Sequence, residues 1–187
     1  MRLRTMIAAP AAGFFLLGLV SAAAVADNLI DRAQTFALER QFSARAITLW
    51  GDGRYMFYLR PQAYSVDHYG ILLTADLNIA PGPVSLSLPF GEVITKQQIA
   101  AHKHTVLERL PKFRQFLKSE LVDAAAMFPT EPASGRVGLA VTIFHYVWED
   151  TADIPTQIIV QGVKKDLLEA KANPALADHA IEMKETE

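Results

Sequence analysis

The residues in this chain that could do chemistry are its five histidines and the acids and phenols beside them. Asp67-His68-Tyr69 places a carboxylate, an imidazole and a phenol in a row, the side-chain types of an acid/base set. Read as the end of a strand, however, consecutive residues point to opposite sides, so Asp67 and Tyr69 would face away from His68. His145 stands among Phe144, Tyr146 and Trp148, which favours a hydrogen-bonded histidine at the core margin. Trp148-Glu149-Asp150, with Asp153, gathers three acids beside an aromatic ring. These oxygens are fewer than the six to eight that calcium takes, and the spacing is not that of a calcium-binding loop. His102 and His104 lie two apart in a helical pattern, about 200° around the axis, so they cannot bind one metal from one face.

No serine sits in a glycine elbow, no dinucleotide fingerprint is present, and Gly51-Asp52-Gly53-Arg54 lacks the length and the lysine of a phosphate loop. No metal and no cofactor is therefore expected. The residues best placed to form a ligand or partner surface are Tyr64, Asp67, His68, Tyr69, Trp148, Glu149 and Asp150. Aromatic groups supply contact area with a polar handle, and the flanking charges supply direction.

The elements that must hold these residues are legible to different degrees. Gly135 to Gly162 reads as a hairpin around which the rest of the chain is organised. Val137 to Trp148 alternates with apolar residues on both sides, predicting an interior strand covered on both faces, and Gln157 to Val160 is the return strand. Thr95-Lys96-Gln97-Gln98 matches a capping box, and an apolar stripe of helical period follows to Met127, interrupted by Pro111. A first helix is predicted from Leu29 to about Arg45, then a hairpin of Ala46 to Trp50 with Arg54 to Leu59, ended by Pro61. Val66 to Asn78 reads as a further, partly exposed strand. Residues 79–94, with three prolines and two glycines, read as a cover loop. Lys164 to Ala172 predicts a helix, Asn173-Pro174 a capped turn, and His179 to Thr186 an edge strand.

Together these predict one α+β domain over residues 27–187: a largely antiparallel sheet covered by a long helix kinked at Pro111 and by the N-terminal helix, the two on opposite faces. Residues 1–26 carry Arg2 and Arg4, an uncharged run from Ile7 to Val20 and Ala24-Val25-Ala26, the three parts of a cleaved export signal. The chain has 18 basic and 20 acidic residues; removing the two arginines leaves 16 and 20, a net charge of −4. An acidic chain with no basic run argues against nucleic acid as a partner. With no cysteine, disulfides, thiolate metal sites and a cysteine nucleophile are excluded. The expectation is an exported periplasmic or secreted domain that binds a protein or small ligand in the cell envelope, touching a membrane only if residues 1–26 are retained. The competing expectation is a small exported hydrolase using Asp67, His68, Tyr69 and His145.

Overall fold

A computed structural model of the chain describes residues 32–50, 57–80 and 94–187. The predicted signal segment, the Gly51 turn and most of the proline-rich loop fall outside these residues. The elements run α1 (Arg32–Thr48), β1 (Phe57–Val66), β2 (Gly70–Leu77), α2 (Lys96–Met127), β3 (Arg136–Ile143), β4 (Gln157–Val163), α3 (Lys164–Ala172), a single 3₁₀ turn, α4 (Ala177–Ala180) and β5 (Glu182–Thr186).

Helix α2 starts where its sequence says it should. The Thr95 hydroxyl accepts the Gln98 amide at 3.2 Å and the Gln98 carboxamide accepts the Thr95 amide at 2.8 Å, satisfying two amides that the first turn leaves open. The helix runs through Pro111 for 32 residues and buries Val106, Leu110, Phe113, Leu117, Leu121 and Ala124 along one stripe. Asn173 caps the 3₁₀ turn, its side chain accepting the Ala175 amide, with Pro174 in the first position.

The five strands lie in sequence order, β1-β2-β3-β4-β5, and three of the four pairings are antiparallel. The exception is β2 with β3, which run parallel because α2 carries the chain back between them. Register puts Ile71, Leu73, Ala75 and Leu77 beside Val137, Leu139, Val141 and Ile143, all at most 3% exposed. Leu139 and Val141 continue across to Val160 and Ile158 on β4. Each valine, leucine and isoleucine of this row contributes about 1.5–3 kcal/mol by leaving water, so this one face is the core.

Several expectations are corrected. Helices α1 and α2 share a face: the Phe42 and Phe116 rings are 5.5 Å apart, and Arg45 reaches Glu120 and Asp123. Segment 46–48 ends α1 rather than starting a strand, because Ala46 is fully buried there and Arg45 needs the helix to meet α2. Pro61 lies inside β1, tolerated because β1 is the sheet edge. The return of the first hairpin is β2, through a turn at 67–69, so Asp67, His68 and Tyr69 do not alternate along a strand. His68 has φ 61°, and Gly70 has φ 124°.

The central ribbon is interior to the sheet but buried on one face only. Its outer row is Gly138, half-buried Ala140 and exposed Thr142. It also ends at Ile143, five residues short of Trp148, because β2 stops at Leu77 and β4 begins only at Gln157. With no strand to pair with, residues 144–148 leave the sheet, and Val147 is wholly exposed at 107%.

Candidate functional site

In a parallel strand-helix-strand unit, the strand C-termini and the helix N-terminus face the same way, and the loops at that end are free to recognise a ligand. Here that end is formed by Leu77, the first turns of α2 and residues 144–156 after β3.

The loop after β3 is fixed to α2 by a buried carboxylate. Glu149, 3% exposed in its side chain, lies between His145 Nδ1 at 3.0 Å and His102 Nε2 at 2.8 Å. The His102 approach lies off the line of an aligned hydrogen bond. A carboxylate this buried is tolerable only when polar partners meet it, and the two imidazole rings supply them. One residue on, Asp150 accepts from Lys103 Nζ at 2.9 Å; that bond, then the Ala152 amide, holds the Asp150 carboxyl below its ordinary range.

Aromatic rings cover this clamp. Trp148 meets the edge of His102 at 5.0 Å, Tyr146 stacks on Trp148 at 5.3 Å and 6°, and Phe144 abuts Tyr146 edge-on at 5.2 Å. Burial, and after it the Glu149 charge, pushes the Tyr146 phenol up. The result is a short aromatic shelf, rigid beneath and tipped by Val147.

His102 is the residue that sequence reasoning missed. Its pairing with His104 was the wrong comparison, since His104 faces solvent. The available signal was its place on the stripe that continues through Val106, Leu110 and Phe113, which points it inward.

The remaining candidates lie elsewhere. Asp67 and His68 are exposed in the β1-β2 turn, at the end of the sheet where β3 starts. Tyr69 folds over Gly138 on the outer sheet face, where a Cβ on that glycine would come within 2.3 Å of its hydroxyl. The hydroxyl donates to Gln161 Oε1 at 3.0 Å, and Gln161 in turn donates to Glu182. Burial pushes the Tyr69 phenol up, against the pull of the Arg136 cation. Tyr64 lies on edge strand β1, 45% exposed. At about 3.3 Å per residue, the eight residues of β3 separate the 67–69 turn from His145 by roughly 25 Å. The seven surface candidates therefore fall into separate groups, and His145 does not meet Asp67, His68 or Tyr69.

Among the described residues, no serine or threonine hydroxyl hydrogen-bonds to the clamp, and no cluster of three or more histidine or acidic residues has the arrangement of a metal site. No helix among them is long and apolar enough to cross a membrane. Compared with models of known families, with curated proteins and with solved structures, the chain matches none.

Proposed function

We propose that this chain is an exported, non-enzymatic binding domain of the cell envelope, and that the loop of residues 144–153 is its recognition element. The observation that carries the reading is the combination of a wholly exposed apolar tip, Val147, with an aromatic shelf held by a buried clamp. Binding loops on rigid supports lose little conformational entropy on association, and aromatic groups dominate contact energy at interfaces. The separation of His145 from Asp67, His68 and Tyr69 favours this reading over a hydrolase built on those four residues. Export rests on the sequence of residues 1–26.

The test is a photo-crosslinking amino acid at position 147 of the full chain expressed in its source cell, with position 165 on α3 as the control. A discrete adduct at 147, absent at 165 and lost in Trp148→Ala, is the expected result. Equal labelling at both positions, or an adduct indifferent to Trp148→Ala, sinks the proposal. N-terminal sequencing of the same material should begin at Asp27; an intact Met1 removes the export signal from the argument.

A further inference from the structure

A second site lies away from the loop and does not depend on it. Helix α1 is apolar on two sides. Leu38, Phe42 and Ala46 enter the core, while Ala33, Phe36, Ala37 and Ala44 remain exposed, Phe36 at 52%. This second side forms one wall of a groove with a volume of about 1290 Å³ whose other wall is β1 from Arg60 to Tyr64. An apolar helix face left exposed among the described residues is a surface on which an apolar group can pack.

The charges say what. Arg32, Arg40 and Arg60 open into the groove, and among the described residues none of the three meets a carboxylate. Arg40 lies 6.0 Å from the Phe36 ring centroid, which spreads its charge along the apolar wall. Glu39 is the one acid among the lining residues, and its Oε1 is engaged by the Ala63 amide at 2.9 Å. Among the described residues, three guanidinium groups against one committed carboxylate make the lining of this groove cationic. Planar guanidinium groups suit phosphate and carboxylate heads.

Two alternative occupants fit poorly. An added strand needs the free edge of β1, but Pro61 has no amide to offer and the Ala63 amide is already taken by Glu39. A second copy of the chain on the same face would bring arginine against arginine. We infer that the groove between α1 and β1 binds an anionic single-chain amphiphile of lipid origin, its head on Arg40 and Arg60 and its tail along Ala37 and Phe36 toward the start of α1.

Dodecyl phosphate, kept below its critical micelle concentration, is the probe, titrated into the full chain with amide chemical shifts followed by NMR. The expected result is saturable one-to-one binding with shifts at Phe36, Ala37 and Tyr64. Arg40→Gln and Arg60→Gln should each weaken it about tenfold, as expected for loss of one hydrogen bond to a charged group. Ala37→Trp, at an exposed position, should obstruct the path of the tail and abolish binding while leaving the spectrum of the core unchanged. Dodecyl maltoside binding as tightly would reduce the site to detergent adsorption. Inorganic phosphate doing so would reduce it to an anion site without a tail. Tighter binding of an acidic amphipathic peptide would transfer the groove to a protein partner. Shifts confined to other residues, or no saturation, would overturn the inference outright.

Discussion

Replacing Glu120 with glutamine should stabilise this domain at alkaline pH and do little at acid pH. Glu120 sits on the side of α2 that faces α1, with its side chain fully buried, and Arg45 Nε approaches at 2.7 Å. Burial outweighs Arg45, and the neighbouring Asp123 charge adds to it, so the Glu120 carboxyl is pushed up from 4.5 to about 7. A folded-state value above the unfolded one means that the contribution is complete below pH 4.5. Between there and about 7 the unfolded chain releases a proton that the folded chain still holds, so stability falls as pH rises. Integrated over that interval, the loss is about 3 kcal/mol. Burial opposes ionisation of Asp123 too, but hydrogen bonds from Arg45 and Lys171 hold its carboxyl below its ordinary range. It is therefore ionised in both states above pH 4.5 and adds no slope in this window. Glutamine cannot ionise, and Arg45 keeps Asp123 at 2.5 Å. Urea denaturation of both proteins at pH 4.5, 6, 7 and 8 should show the advantage of Glu120→Gln growing by about 3 kcal/mol across the series. In melting temperature this is about 6–12 °C for a domain of this size. Groups that titrate in both proteins cancel in the difference. Two parallel curves would refute the account, because they would mean that Glu120 pays no burial cost when ionised.

Two further outcomes follow from single contacts. Lys164 is 6% exposed, and its ammonium donates to the carbonyls of Phe128, Pro129 and Glu131, closing the C-terminal end of α2. Lys164→Met keeps the stem and removes the cation, leaving buried carbonyls unpaired at a cost of about 3 kcal/mol in equilibrium unfolding; a loss under about 0.5 kcal/mol would contradict the buried role. Gly70 holds φ 124°, with the Arg136 carbonyl 2.2 Å from where a Cβ would stand. Gly70→Ala should therefore cost at least about 2 kcal/mol, read as a lower melting temperature; an unchanged melt would show that the β1-β2 turn can relax.

What could be read from the chain alone was whatever nearest neighbours decide. The capping box at Thr95, the stripe of α2, the β-branched run of β4, helix α3 and the Asn173-Pro174 turn all depend on contacts within a few residues, and each formed where its pattern indicated. The mixed α+β class followed from the alternation of those patterns. The parallel pairing of β2 with β3 was not legible, because an apolar strand carries no mark of which neighbour it will accept or in which direction. Residues 46–48 looked extended but joined α1 once Arg45 had acids to meet on α2. The run past Ile143 kept its alternating apolar residues after its strand partners had ended, so aromatic stacking and the His102-Glu149-His145 clamp took over. His102 and Glu149 lie 47 positions apart, and only the return of α2 across the sheet brings them together. Periodicity reports which side of an element is apolar; which surfaces meet is settled by the packing of the whole chain.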